Sequence, residues 1–281
     1  MAPGSPEVDL MADPWGLERG CIGAWSLWSV AVTDESKPSG RPRTVMLHGF
    51  TQNGRCLGPL AEWLAGHGEV STPDLPGHGV AAALGDLDCP GSADHLARTC
   101  GYGDWFGYSL GGRVALHVAL RHPEVVHRLV VLGATPGIAD EDARLERRRI
   151  DRERAGSVRE LGVEEFCRQW LSMPMFAGLP QRAGFLRERS SNTVDGLASS
   201  LIHAGTGSMT PLWDRLDELE MPVLVLAGEH DPAYVEIAAR MVGAIGTNAT
   251  LHTITGAGHA AHLEAPEITT DVIEAFLTGP T

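Results

Sequence analysis

Along most of this 281-residue chain, short apolar runs alternate with stretches whose apolar positions recur every three or four residues. Runs such as TVML and VLVLAG are too short for helices, and they are apolar on both faces, as strands inside a parallel sheet are. The pattern predicts strands at 24–32, 43–50, 68–74, 103–109, 127–134, 222–230 and 249–255. Between them, LGGRVALHVALRH (110–122), YVEIAARMVGAI (234–245) and EITTDVIEAFL (267–277) carry helical spacing. Such alternation gives an α/β fold, a mostly parallel central sheet with helices on both faces.

One segment breaks the rhythm. From 138 to 205 there is no strand pattern, and RLERRRIDRERAG, EEFCRQWLSM, QRAGFLRERSS and DGLASSLIHAG all read as helical. Helices inserted between two strands are expected to cover the sheet rather than join it. The expected organisation is a flexible tail at 1–20, a core at 21–137 and 206–281, and a helical lid at 138–205.

Composition narrows the field. Hydrophobic residues at 43% and charged residues at 21% leave room for a large core. A formal net charge of -14 argues against a nucleic-acid binder, which needs a basic face for phosphates. Lys37 is the only lysine, so arginine abundance is not itself a signal. The five cysteines are scattered without C-x-x-C spacing, which supports neither a disulfide framework nor a zinc site. No stretch approaches the roughly 20 apolar residues that span a bilayer, and the first twenty residues lack a basic start followed by an apolar run. The expectation is a cytoplasmic protein with no membrane, nucleic-acid or obligate protein partner.

GYSLGGR (107–113) carries the chemistry. It sets Ser109 between a strand and a helix, within G-x-S-x-G, where glycines on either side let the chain turn tightly. A serine hydroxyl is inert without a base. On this architecture an acid and then a histidine should follow, each just past a strand end. Asp231 ends PVLVLAGEHD and His259 ends ATLHTITGAGH. His259 would take the serine proton, and Asp231 would fix the imidazole tautomer. Of twelve histidines, only His259 sits in a glycine-rich turn directly after a strand. His262 could suggest a metal pair with it in HAAH, but no third ligand has suitable spacing. Upstream, LHGF (47–50) ends a strand, which nominates the backbone amides of Phe50 and Leu110 as an oxyanion hole.

Arg113 lies one helical turn beyond Ser109. It is either tied to a carboxylate of the sheet or placed to hold an anionic substrate beside the serine. RLERRRIDRER adds six arginines in eleven residues, a mix that also fits a solvated, salt-bridged helix.

The order HGF, DLPGHG, GYSLGG, GEHD, GAGH resembles the α/β-hydrolase superfamily plan. More specifically, GYSLGGR, the PG of TPGI, ERR, WLSMPMF, LRERSSN and GAGHAAH resemble the 2-succinyl-6-hydroxy-2,4-cyclohexadiene-1-carboxylate synthases of menaquinone biosynthesis. The likeness runs from about Arg43 to Phe276 and departs from the family pattern at Ala233, where a basic residue is common. It implies a lyase that removes a ring proton from a polyanionic cyclohexene carboxylate and expels pyruvate, leaving a diene. By resemblance, Ser109, His259 and Asp231 would be catalytic, and Tyr108, Arg113, Arg147, Trp170 and Arg189 would bind substrate. Arg148 and Arg149 would face solvent. No metal or organic cofactor is expected. Two other readings share the triad: a hydrolase of carbon–carbon bonds or a carboxylesterase, and a catalytically silent binding member of the fold.

Overall fold

The computed structural model describes residues 42–279; the strand expected at 24–32 and the tail at 1–20 lie outside them. Six strands form one sheet: β1 (Thr44–Leu47), β2 (Val70–Ser71), β3 (Gly103–Tyr108), β4 (Val126–Leu132), β5 (Val223–Gly228) and β6 (Ala249–Ile254). Their order is β2-β1-β3-β4-β5-β6, and every neighbouring pair is parallel. Every residue of β1, β3 and β5 is buried, which is why these segments read as continuous apolar runs rather than alternating ones. The two edges differ. β6 alternates half-buried and exposed positions over most of its length. β2 shrinks to two residues because the run 68–74 contains Pro73, which cannot donate to a ladder.

The GYGDWF segment looks poorly suited to a central strand, yet β3 is continuous and fully buried. Asp104 is accommodated by His127, whose Nδ1 lies 2.7 Å from Oδ1. Trp105 donates its indole N–H to the Val125 carbonyl at 3.0 Å.

The helices are α1 (Gly58–Ala65), α2 (Cys89–Cys100), α3 (Leu110–Arg121), α4 (Glu141–Leu171), α5 (Leu186–Arg189), α6 (Val194–His203), α7 (Pro232–Ile245), α8 (Ala261–Glu264) and α9 (Pro266–Thr278). Alternate strand residues such as Val45, Leu129, Val131 and Val225 share a core with Leu96 of α2, Val114 and Val118 of α3, and Met241 of α7. α1 packs with α8 and α9.

Three helices, α4, α5 and α6, fill the connection from β4 to β5. Asp140 starts α4 by accepting the Ala143 N–H at 2.8 Å, with Glu141 and Asp142 in the first turn favouring the helix dipole. Gly162, at φ 75° and ψ 167°, breaks α4 into two arms, so RLERRRIDRERAG and EEFCRQWLSM are separate helical pieces joined at one residue. Ala155, Val158 and Phe166 of α4 pack on Leu197, Ala198 and Leu201 of α6. Fully buried side chains such as Val158 and Leu197 contribute about 1.5–3 kcal/mol each to holding these helices together. No helix among the described residues is long and apolar enough to cross a membrane.

Candidate active site

β3 ends at Tyr108 and α3 begins at Leu110, so Ser109 alone makes the corner. Its backbone sits at φ 53°, ψ −108°, a region that costs a side-chain-bearing residue on the order of 1–3 kcal/mol. The corner is held by Ser109 N–H donating to the Leu132 carbonyl at 2.9 Å and by the Arg113 N–H donating back to Ser109 O at 3.1 Å. The flanking glycines leave no alternative. A Cβ on Gly107 would lie 2.6 Å from Gly112 Cα, and one on Gly111 would lie 2.5 Å from the Leu47 carbonyl carbon.

The structure brings the three expected polar residues together. His259 Nε2 lies 3.2 Å from Ser109 Oγ, and its Nδ1 lies 2.7 Å from Asp231 Oδ2. Asp231 follows β5 and immediately precedes α7, while His259 follows β6 just before α8. A backbone bond from His230 N–H to the Ala257 carbonyl, 2.8 Å, ties the two loops. A carboxylate only accepts, so Nδ1 donates to Asp231 and Nε2 is left to accept the serine proton.

The other buried histidines are of a different kind. Burial lowers His48 and His117 to about 4, and His78 and His262 to about 3, so all four are neutral packing residues near pH 7. Both ring nitrogens of His262 lack hydrogen-bond partners among the described residues, and its ring stands 4.5 Å from that of Tyr108. Among the described residues no group of three His, Cys, Asp or Glu could hold a metal ion. The described cysteines, Cys56, Cys89, Cys100 and Cys167, are free and buried.

Above Ser109 lies a cavity of about 310 Å³ whose wall includes Phe50, Leu110, Arg113, Arg147, Trp170 and Asp231. Among the described residues neither the Phe50 nor the Leu110 amide has a hydrogen-bond acceptor, so both are available to a ligand oxygen. Trp170 stands edge-on to Phe50 at 5.2 Å, which brings the end of α4 to the loop after β1.

Two residues that the resemblance assigned to substrate are buried against protein partners. Tyr108 is buried behind the serine, its ring against His259 and His262 and so close to Gly49 that a Cβ there would come within 2.6 Å. It is absent from the cavity wall. Arg189 is 2% exposed and also absent from the wall. Its Nε donates to the Gly184 carbonyl at 2.6 Å, and Nη1 donates to the Phe50 carbonyl at 3.3 Å and to Thr51 Oγ1. Arg189 thus supports the loop that carries the Phe50 amide. Arg149 is exposed, paired with Glu146 and Glu153. Arg148, expected at the surface, is half-buried and donates Nε to the Gly207 carbonyl at 3.1 Å.

The cavity also contains residues that the motifs did not flag. Tyr234, three positions after Asp231, has its ring 4.7 Å from that of His259. Asp151 and Arg154 line the wall from α4. Their signal was present in the sequence: with Arg147 they fall at i, i+4 and i+7, one helical face.

Residues 44–272 match the alpha/beta hydrolase family. The chain belongs to that family. This α/β hydrolase is 33% identical over 89% of its length, and 94% of the other chain, to a Bacillus subtilis (strain 168) protein provisionally named 2-succinyl-6-hydroxy-2,4-cyclohexadiene-1-carboxylate synthase. It is 35% identical over 85% of its length to the Salmonella newport (strain SL254) protein of that name, 94% of which is covered. Among solved structures it is similar to MenH from S. aureus, with a TM-score of 0.76 and 32% identity, covering 87% of this chain and 96% of that one.

Proposed function

We propose that this α/β hydrolase acts in menaquinone biosynthesis as a lyase. It would convert 2-succinyl-5-enolpyruvyl-6-hydroxy-3-cyclohexene-1-carboxylate into 2-succinyl-6-hydroxy-2,4-cyclohexadiene-1-carboxylate and pyruvate. The observation that carries the reading is a nucleophile-type serine facing a cavity walled by arginines. Neutral esters gain nothing from such a wall, whereas a substrate with several carboxylates pairs with guanidinium groups directly. The names borne by the similar proteins support the same choice.

In this reading Ser109 acts as a base and no acyl-enzyme forms. His259 Nε2 takes the hydroxyl proton as Ser109 Oγ takes the ring proton beside the succinyl carbonyl. The carbon–hydrogen electron pair moves toward that carbonyl oxygen, where the Phe50 and Leu110 amides stabilise the growing charge. As the electrons return through the ring, the carbon–oxygen bond to the enolpyruvyl group breaks. The departing oxygen leaves as the enol of pyruvate, which tautomerises, and the proton held at His259 balances the step. No water enters the products. The base and the charge stabilisation come from the chain itself, so the mechanism needs no metal or organic cofactor. The helices of the β4–β5 connection act as a lid in this reading.

The test is to supply that cyclohexene carboxylate and follow pyruvate with a coupled dehydrogenase and the diene by its ultraviolet absorbance. The expected result is equal amounts of both, with neutral nitrophenyl esters poor substrates. Rapid ester turnover without pyruvate would replace the lyase by a carboxylesterase.

A further inference from the structure

Three arginines line the cavity, and their donors are committed very differently. Arg113 spends Nη1 on the Ala204 carbonyl at 2.6 Å, with Cys89 Sγ at 3.6 Å. Arg147 spends Nε on Asp151 Oδ1 at 2.8 Å, and its two terminal nitrogens bond no described residue. Arg154 donates no hydrogen bond to any described residue. Its partners are the face of Trp170, with the guanidinium carbon 5.3 Å from the ring centre, and Asp151 Oδ1 at 3.7 Å, beyond hydrogen-bond reach. Asp151, only 1% exposed, is already engaged through Oδ1 by Arg147 and through Oδ2 by the Gly207 N–H at 3.2 Å.

The consequence is a guanidinium held in place but unsatisfied. Trp170 fixes its plane, because a cation settles over an aromatic face. Burial and the neighbouring Arg147 charge both lower the Arg154 pKa. A half-buried guanidinium offers five N–H donors and accepts nothing, so an acceptor that enters the cavity can take up donors that otherwise face water. Charge points the same way. The wall sets three arginines against two carboxylates, and of those Asp231 is bonded to His259 and Asp151 to Arg147.

We infer that Arg154 and the free edge of Arg147 form a carboxylate subsite on the α4 wall of the cavity, which takes a substrate carboxylate remote from the carbon that reacts at Ser109. Asp151 is the positioning residue of this subsite, because it holds Arg147 through Nε and leaves the two terminal nitrogens uncommitted among the described residues. The inference rests on the lyase reading for the identity of the substrate, but not for the class of ligand, an organic polycarboxylate. A remote carboxylate is bound alike in ground state and transition state, so its loss shows in KM rather than kcat.

The experiment compares wild type, Arg154→Ala, Arg154→Gln and Arg149→Ala, each first checked for a native circular dichroism spectrum. Arg154→Gln retains a stem to pack on Trp170 while removing the charge, so it covers the case in which the alanine variant does not fold. With the cyclohexene carboxylate as substrate, both Arg154 variants should raise KM by about 10- to 100-fold, with kcat within threefold. Arg149→Ala, an exposed arginine, should stay within twofold on both. A KM within twofold of wild type in a folded Arg154 variant overturns the inference while leaving the lyase reading intact. If wild type releases no pyruvate, the lyase reading has failed and succinate decides the subsite. Succinate should then raise the melting temperature of wild type and not of Arg154→Gln. Equal response, or no response in wild type, overturns the subsite.

Discussion

Arg113, in the first turn of α3, donates through Nη1 to the Ala204 carbonyl at 2.6 Å and thereby joins the core to the end of α6. The sequence left Arg113 between two roles, a tie to a sheet carboxylate and a clamp on substrate. Its partner is neither a carboxylate nor solvent. One terminal nitrogen fixes the guanidinium to backbone, and Arg113 lines the same cavity as Ser109. A cation so close to a helix N-terminus is unfavourable by itself, and the carbonyl offsets part of that cost.

Arg113→Ala should therefore act twice. In the lyase reading it removes a charge-assisted contact to substrate, so kcat/KM should fall by about 10- to 100-fold. It also strands the Ala204 carbonyl, so unfolding free energy should fall by about 1–3 kcal/mol. Arg113→Lys can keep one bond but not the fork, and should recover most of the stability and only part of the activity. Activity lost without any change in denaturant midpoint would mean that the Ala204 bond contributes nothing.

Arg189 makes the opposite case. Buried and bonded to Gly184, Phe50 and Thr51, it shapes the loop that carries the Phe50 amide and does not touch the cavity. Arg189→Ala should lower stability by more than about 2 kcal/mol, because buried carbonyls lose their donor. If the Phe50 amide is an oxyanion donor, as the lyase reading has it, Arg189→Ala should reduce kcat at least tenfold with KM within threefold, since only the transition state feels its displacement. A large rise in KM with unchanged melting temperature would return Arg189 to direct substrate contact.

These two arginines also mark how far the sequence could be read. Strand and helix alternation located every strand among the described residues, and it did so most clearly for β1, β3 and β5, which are buried on both faces and so leave continuous apolar runs. The elbow was legible because only glycine fits at 107 and 111, and this made Ser109, Asp231 and His259 readable as a chain-ordered set. Direction was not legible. A motif places an arginine or tyrosine on an element but does not say which way its side chain turns, and Tyr108 and Arg189 both point into protein. Arg154 escaped because it lies in a charged run that reads equally well as a solvated face. Only the packing of α4 on α6, with the break at Gly162, decides which side of that run faces the cavity.

The buried histidines predict acid sensitivity with a definite sign. His48, His78, His117 and His262 sit at about 3 to 4 in the folded chain, well below about 6.5 for an unfolded histidine. Between these values the unfolded state binds more protons, so stability rises with pH across this window and is lost as pH falls from about 6.5 toward 4. Each such group adds up to about 1.4 kcal/mol per pH unit to the slope. His262 lacks hydrogen-bond partners among the described residues, so His262→Leu should flatten the slope below pH 6.5 whatever it does to stability at pH 8. Urea midpoints measured at half-unit steps from pH 4.5 to 8 decide the matter, and an unchanged slope would falsify the assignment.

Ser109 combines reactivity with a strained backbone, and two substitutions separate them. Both Ser109→Ala and Ser109→Gly remove the hydroxyl that faces His259 Nε2 at 3.2 Å. Each should cut turnover by roughly a hundred- to ten-thousandfold, the range expected when a positioned base is lost. Their stabilities should differ, because glycine accepts φ 53°, ψ −108° without the Cβ penalty that alanine keeps. Ser109→Gly should be more stable than Ser109→Ala by about 1 kcal/mol, seen as about 2–4 °C in melting temperature. The comparison is clean because the lost bond to His259 is common to both. Adding Asp231→Ala to either variant should cost little further activity if, as the lyase reading has it, Asp231 acts only by orienting His259 toward a hydroxyl already gone. A glycine variant no more stable than the alanine one would mean that the corner at Ser109 stores no strain. Full turnover by either folded variant would remove Ser109 from the chemistry altogether.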